Sequence, residues 1–214
     1  MIDEASIPRD HYFNENYFRF PALASLCSQI VSIHQAAPTA VLEVGKGNGF
    51  VSDFLTKAGY NVTTLDINPA LQPDVVGSLF DLDQHFNQGQ FDLVVCAEVL
   101  EHLPFEDFAA ATKQLAFACR GGNALVTIPR AQRILLDYTL DLRVGRFKRA
   151  FDLFLSVPST RISPRHKWEL DHSPATRMSN VKKLLAEQFY ISKVERVRHC
   201  AYHRLFKLQS RKRP

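Results

Sequence analysis

The sequence predicts an α/β fold: a Rossmann-like, seven-stranded, mostly parallel sheet with helices on both faces and a C-terminal antiparallel hairpin. Two observations carry this prediction. From residue 39 onwards, short apolar runs alternate with segments of helical spacing, and a glycine-rich turn between Gly45 and Gly49 joins the first run to a helix. The chain has 214 residues, of which 46% are hydrophobic, enough for one sizeable core. We therefore expect a single domain over residues 1–214.

The elements follow one another in a regular order along most of the chain. The predicted strands are Ala40–Val44, Asn61–Leu65, Asp74–Val76, Phe91–Cys96, Asn123–Ile128, Tyr190–Val197 and Tyr202–Leu208, and the predicted helices are Leu23–His34, Phe50–Ala58, Phe105–Cys119 and Asn180–Gln188. Residues 1–38 form an N-terminal cap rich in aromatics. Residues 130–174, rich in Arg, Pro and Ser, contain no clean strand pattern and are expected to form an inserted lid. Residues 175–214 supply the C-terminal helix and hairpin.

The glycine-rich turn indicates a nucleotide site. Gly45, Gly47 and Gly49 allow a tight passage from strand to helix and let a ligand lie against the backbone, where the helix N-terminus offers free N–H donors. Asp66 closes the next strand about twenty residues further on, where a carboxylate accepts hydrogen bonds from both ribose hydroxyls. The two features together predict a bound ribonucleoside.

The spacing of the turn argues against a dinucleotide. The dinucleotide fingerprint needs a third glycine at position 50, which is Phe50. Glu43, two residues before the first glycine, would repel a pyrophosphate but attract an ammonium or sulfonium group. An NAD-linked oxidoreductase is therefore disfavoured, and a cationic nucleoside is favoured.

These residues resemble the class I S-adenosylmethionine-dependent methyltransferases, whose ExGxGxG motif is matched by Glu43 and the three glycines. Lys46 departs from the small residue usual in that motif. The resemblance implies that residues 39–129 are the cofactor-binding half, in which Asp66 binds ribose and Asp81 with Leu82 contacts adenine. It implies the following cofactor-binding residues: Glu43, Gly45, Gly47, Asn48, Gly49, Asp66, Ile67, Asp81, Leu82, Cys96 and Ala97.

A second motif, ExxEH, follows the fourth predicted strand. If the segment is a helical turn, Glu98, Glu101 and His102 stand at i, i+3 and i+4 and converge on one point. Ubiquinone-pathway and small-RNA methyltransferases with a similar pattern hold a divalent ion there, and two carboxylates with an imidazole suit such an ion. The alternative is that these are carboxylates at a helix N-terminus and a histidine beside the cofactor. A fourth ligand would come from the lid.

The lid contains an HxWE segment, His166 to Glu169, which resembles that of an uncharacterised bacterial branch of type 11-like methyltransferases. Trp168 is a candidate wall of an acceptor pocket, and His166 or His172 is a candidate proton acceptor. Together with His102 of the ExxEH motif, His166 is taken as the catalytic candidate. The alternative is that Trp168 packs the lid onto the core and that the histidines are surface or capping residues.

The sequence favours an S-adenosylmethionine-dependent methyltransferase acting on a small-molecule or lipid-like acceptor, with the aromatic N-terminus and the insertion from Arg130 to His172 forming its pocket. An RNA-directed enzyme is the alternative, favoured by the basic tail at residues 211–213 and by Arg143, Arg146, Lys148 and Arg149 of the lid. A non-catalytic S-adenosylmethionine-binding or partner subunit is the third hypothesis. Widely spaced cysteines, an N-terminus without signal-peptide features and no apolar run of membrane-spanning length predict a cytoplasmic protein.

Overall fold

The computed structural model describes residues 4–119 and 121–211, and within them nine strands and five α-helices are formed. The strands are β1 Ala40–Val44, β2 Asn61–Asp66, β3 Val75–Val76, β4 Leu93–Ala97, β5 Asn123–Pro129, β6 Gln132–Val144, β7 Phe147–Pro158, β8 Phe189–Val197 and β9 Cys200–Ser210. The helices are α1 Phe20–Ala36, α2 Phe50–Lys57, α3 Leu82–His85, α4 Phe108–Ala118 and α5 Met178–Gln188.

Seven of these strands form one sheet in the order β3-β2-β1-β4-β5-β9-β8. The first five are parallel, while β9 pairs antiparallel with β5 and with β8. This is the predicted fold class, including the C-terminal hairpin. The strand order reverses direction between β1 and β4, so that a crevice opens at the carboxyl ends of the parallel strands.

Side chains of alternate parity in β1 supply two cores, one on each face of the sheet. Leu42 packs with α4 and α5 residues such as Leu115 and Leu185. Val41 packs on the opposite face with Ile33 of α1 and with α2. Burial on both faces explains why the central strands are continuous apolar runs.

The region 130–174 differs from the expectation, because β6 and β7 make a long antiparallel ribbon there. The prediction of a strandless lid was therefore wrong. The signal was present as a period-two alternation of apolar residues, Leu136, Tyr138, Leu140 and Leu142. It was masked by the Arg, Pro and Ser of the flanking loops. Among the described residues, no helix combines the length and apolarity that crossing a bilayer requires.

Candidate active site

A cavity of about 1020 Å³ opens at the carboxyl ends of β1, β2 and β4. Its walls come from the glycine-rich turn, the loops after β2 and β4, the N-terminal cap and the segment Ser163–His166. The ribbon of β6 and β7 contributes none of the described lining residues. The volume accommodates a nucleoside-sized ligand together with a second molecule.

The glycine turn is shaped by backbone conformations that L side chains rarely adopt. Gly45, Gly47 and Gly49 have φ of 84°, 54° and 74°. A Cβ on Gly45 would lie 2.4 Å from Cγ2 of Val99. The backbone conformation and the lack of space therefore both require glycine there. The turn therefore brings bare backbone to the cavity wall.

Asp66 is held at the end of β2 by backbone donors. Its carboxylate accepts hydrogen bonds from the N–H of Gly47 at 3.2 Å and of Asn68 at 2.9 Å. Burial raises its pKa, and these bonds oppose the rise. Asn68 in turn donates to the carbonyl of Ile7 at 2.8 Å, which ties the N-terminal cap to the loop that carries Asp66.

Glu43 is 6% exposed and borders the cavity from β1. Burial raises its pKa to about 8, and contact with the hydroxyl of Ser52 and the charge of Lys46 offset only part of the rise. Its Oε2 is buried without a hydrogen-bond partner among the described residues. A cation placed against this carboxyl would supply the missing partner.

The structure brings most of the predicted cofactor residues to the cavity, but not all of them. Those that border it are Glu43, Gly45, Gly47, Asn48, Asp66, Ile67 and Ala97. Gly49 is instead the N-cap residue of α2. Asp81 accepts a hydrogen bond from Gln84, and Leu82 and Cys96 are fully buried in the core. Ser78 and Leu79 border the cavity where Asp81 and Leu82 were expected.

The opposite end of the cavity contains an acid–histidine–tyrosine group. Nδ1 of His166 lies 2.9 Å from Oε1 of Glu169, and Tyr202 donates a hydrogen bond to the same oxygen. Burial opposes ionisation of Glu169, but these bonds and the N–H of Ser163 outweigh it and lower its pKa. Since an ionised carboxylate only accepts, Nδ1 of His166 is the donor in this contact, and Nε2 is the ring nitrogen that Glu169 does not engage.

Glu101, His102 and His166 form a second cluster, in which one ligand atom from each lies within 4.8 Å of the others. Glu101 is fully buried, and neither of its carboxylate oxygens has a partner among the described residues. Burial raises its pKa well above the usual range, and the neighbouring charge of Glu98 adds to the rise. Two imidazoles and a carboxylate are a donor set that suits a divalent cation.

The expected helical convergence of Glu98 with Glu101 and His102 was wrong. Glu98 adopts φ of 58°, and the short 3₁₀ turn begins only at Leu100. The Glu98 carboxylate consequently lies 3.3 Å from Nδ1 of His203, away from the cluster. His166, from the region expected to be the lid, takes its place.

Two other candidates lie outside the cavity. Trp168 is 2% exposed, packs edge-on against Phe105 and Phe108 and donates to the carbonyl of Leu100, so it anchors the segment to the core. His172 borders a separate depression of about 400 Å³. Neither residue borders the large cavity, and the burial and contacts of Trp168 agree with the packing alternative.

The N-terminal cap, whose aromatic residues were expected to help form the acceptor pocket, also contributes Glu4, to which the sequence analysis assigned no role. Glu4 lies 2.5 Å from Arg165 and 3.3 Å from His102, and these two partners outweigh burial and lower its pKa to about 2. Tyr12 and Tyr17 also border the cavity. The aromatic richness of the segment was the available signal, but nothing in its spacing connected it to residues 150 positions away.

The family follows from comparison with known proteins. A family model described as a methyltransferase domain matches residues 13–179. The chain belongs to this methyltransferase family. The match confirms the predicted resemblance to class I S-adenosylmethionine-dependent methyltransferases.

Curated relatives of this methyltransferase include ubiquinone biosynthesis O-methyltransferases. The Erwinia tasmaniensis protein is 35% identical over 169 residues, which cover 64% of this chain and 66% of that protein. An Escherichia coli O9:H4 protein is 27% identical over 161 residues, covering 64% of this chain and 67% of that one. The chain thus spans about two thirds of the length of these relatives.

Solved structures share the fold of the methyltransferase at low sequence identity. The N-methyltransferase NodS of Bradyrhizobium japonicum, in complex with S-adenosylhomocysteine, superposes with a TM-score of 0.59 at 14% identity, covering 97% of this chain and 94% of that one. Magnesium protoporphyrin IX methyltransferase of Synechocystis, with bound S-adenosylmethionine, gives 0.58 at 17% identity, covering 99% of both chains.

Proposed function

We propose that the protein transfers a methyl group from S-adenosylmethionine to a hydroxyl of a small-molecule or lipid-like acceptor. One observation carries the proposal. A single cavity joins the glycine turn and Asp66 at one end to a carboxylate-oriented histidine, His166, at the other. The first group suits a nucleoside with a cationic centre, and the second suits removal of a proton from an acceptor hydroxyl.

At the cofactor end of the cavity, backbone groups of the glycine turn and two carboxylates would bind S-adenosylmethionine. Asp66 is placed to accept from ribose hydroxyls, and Glu43 to face a positive charge. S-adenosylmethionine supplies a methyl group on a cationic sulfur, and its transfer is an in-line displacement without a covalent enzyme intermediate. The protein therefore acts by aligning the acceptor and excluding water.

The acceptor end provides the base. Nε2 of His166 takes the acceptor proton, while Glu169 positions the ring and stabilises the imidazolium that forms. His102, whose ring centroid lies 5.1 Å from that of His166, is a second proton-accepting candidate on the same wall. Tyr12 and Tyr17 supply flat surfaces that suit an aromatic acceptor.

A divalent cation is an alternative to the His166 base, because a ring nitrogen that binds a metal cannot also accept a proton, and the buried, unpartnered carboxylate of Glu101 favours it. Glu101, His102 and His166 would hold it, and it would lower the pKa of an acceptor hydroxyl by Lewis-acid polarisation.

RNA-directed transfer stays a prediction. Lys212 and Arg213 of the basic tail lie outside the described residues, and the lid cations are not among the described residues that line the cavity. The cytoplasmic location also stays a prediction.

Calorimetric titration with S-adenosylmethionine, with NADH as a control ligand, tests the cofactor site. We expect micromolar binding that Asp66→Ala weakens about tenfold or more, because charge-assisted hydrogen bonds to ribose are lost. Asp83→Ala, which removes an exposed acid outside the cavity, should leave the affinity unchanged. Folded wild-type protein that fails to bind S-adenosylmethionine would refute the proposed activity.

Formation of S-adenosylhomocysteine with catechols, with and without an alkyl chain, then tests the acceptor class. Turnover with the short catechols identifies a small-molecule enzyme, and turnover only with the alkylated ones identifies a lipid-like acceptor. Cofactor binding without turnover of any hydroxylated acceptor, including RNA oligonucleotides, would favour the non-catalytic subunit instead.

A further inference from the structure

The ribbon of β6 and β7 presents an apolar face to solvent. Eight of its side chains are between 40% and 74% exposed: Leu136, Tyr138, Leu140, Leu142, Val144, Phe151, Leu153 and Leu155. The antiparallel register places members of this set directly opposite one another, as with Leu136 and Leu155 or Leu140 and Phe151. They form one stripe along the ribbon, called here the outer face, which is interrupted near the tip by Arg149 opposite Leu142.

The opposite face of the ribbon is polar and is turned toward the protein. Asp152 accepts a hydrogen bond from Thr139 and lies 3.5 Å from the guanidinium groups of Arg196 and Arg198 in the β8–β9 hairpin. The guanidinium of Arg196 also lies 4.2 Å from the ring centroid of Phe154. These contacts fix the orientation of the ribbon. The polar face therefore meets the body of the protein around Asp152 and Phe154, while nearer the tip both faces of the ribbon are exposed.

The outer face has the size of a protein interface. Eight side chains about half exposed, with roughly 180 Å² of surface each, offer on the order of 700 Å², close to what one partner buries in a standard interface. Monomeric proteins rarely expose contiguous apolar patches of this extent. A two-stranded ribbon is also marginally stable by itself. We propose that a second copy of this chain covers the outer face, so that two ribbons pack face to face in a symmetric dimer.

A second copy suits this face better than a lipid surface does. An apolar stripe is complementary to itself, as a two-fold interface requires. The polar face carries charges of both signs, with Asp137, Asp141 and Asp152 as acids and Arg143 and Lys148 as cations. A membrane-surface element would instead have a uniformly basic polar face. Both ribbon edges also leave backbone groups unpaired, which a dimer keeps in water and a hydrocarbon phase does not satisfy.

Charge at the ribbon tip sets the arrangement of the two copies. Arg143 lies opposite Lys148 in the register, and Arg146 occupies the turn between them. If the tips lay side by side, six cations would meet, whereas antiparallel ribbons keep the tips at opposite ends. The antiparallel dimer places Tyr138 and Leu153, the middle one of the three pairs in which both residues belong to the outer face, near the two-fold axis.

The oligomeric state of the full chain tests the proposal directly. Light scattering at tens of micromolar protein is expected to give twice the chain mass of 24.3 kDa. The double variant Leu140→Lys, Leu153→Lys should be monomeric, with unchanged circular dichroism and S-adenosylmethionine binding, since neither residue borders the cavity. Ala150→Lys, which adds one lysine on the polar face opposite Asp141, should stay dimeric.

Chemical cross-linking tests the arrangement in a Cys27→Ser background, which removes the exposed native cysteine. Facing sheets lie about 10 Å apart, so a bismaleimide of matching length is the probe. Leu153→Cys should link to its own copy efficiently, and Val144→Cys at the tip should not.

Three results would overturn the proposal. They are a wild-type monomer at tens of micromolar, a dimer that survives both lysine substitutions, and a monomer that floats with phosphatidylglycerol vesicles through the outer face. The last result would assign the face to an anionic lipid surface.

Discussion

Nδ1 of His166 lies 2.9 Å from Oε1 of Glu169, and this distance fixes which ring nitrogen is available to the cavity. Glu169 is 1% exposed and does not itself border the cavity. In the proposed reaction it therefore acts through His166 as a positioning residue.

Glu169→Gln is expected to lower kcat by about 10² or more, because a neutral amide neither holds the required tautomer nor stabilises the imidazolium. The dissociation constant of S-adenosylmethionine should be unchanged, since the substitution lies at the acceptor end. Steady-state kinetics and calorimetry measure the two effects separately. Glu187→Gln on α5 is the matched control and should leave both values at wild type. A Gln variant with normal kcat would remove Glu169 from the mechanism.

Cofactor affinity should depend on the protonation of Glu43. Its pKa of about 8 means that the free protein carries a proton there at neutral pH, and a bound cation would displace it. Wild-type affinity is therefore expected to rise with pH up to about 8, by at most about tenfold per pH unit, with proton release detectable in buffers of different ionisation enthalpy. Glu43→Gln should lose this pH dependence. An identical pH profile for both proteins would contradict the assignment.

The same group predicts the pH dependence of folding stability. Since folding raises the pKa of Glu43 from 4.5 to about 8, its contribution is fully present below pH 4.5 and is lost as the pH rises to about 8. Denaturant unfolding should show wild type losing stability relative to Glu43→Gln across this window, by on the order of 5 kcal/mol at most. A constant difference between the two proteins from pH 5 to pH 8 would show that Glu43 is not buried as described.

Gly45→Ala separates steric exclusion from backbone strain. The new Cβ would lie 2.4 Å from Val99, so we expect a loss of about 1–3 kcal/mol in folding stability and a lower affinity for S-adenosylmethionine. Gly59→Ala is the matched control, because Gly59 has φ of 91° but open space around its Cβ position. It should cost stability without affecting binding. Equal affinities for S-adenosylmethionine in the two variants would mean that the turn does not contact the cofactor.

The Glu101 cluster predicts a response to divalent metal. Adding Zn²⁺ or Mn²⁺ to chelator-treated protein should raise Tm by about 4 °C or more in wild type, because the ion binds only the folded state. Glu101→Gln should abolish the rise, while Glu106→Gln, an exposed acid nearby, should preserve it. If wild type and Glu101→Gln respond alike, the cluster does not bind metal, and Glu101 is simply a buried neutral acid.

The local parts of this protein could be predicted from its sequence, and the long-range parts could not. The glycine turn and Asp66 are identifiable because strand-to-helix geometry and ribose binding each demand a residue type at a short, fixed spacing. The approach of Glu4 to His102 and Arg165 depends on how the cap closes, which no local pattern encodes. Glu98 was misplaced because its left-handed backbone conformation breaks the helical spacing that the motif suggested.

The hydrogen bond between Asn68 and the Ile7 carbonyl, together with the Glu4–Arg165 ion pair, makes the start of the chain part of the cavity wall. A ligand that enters between Glu4 and Arg165 must break their ion pair, because both residues border the cavity.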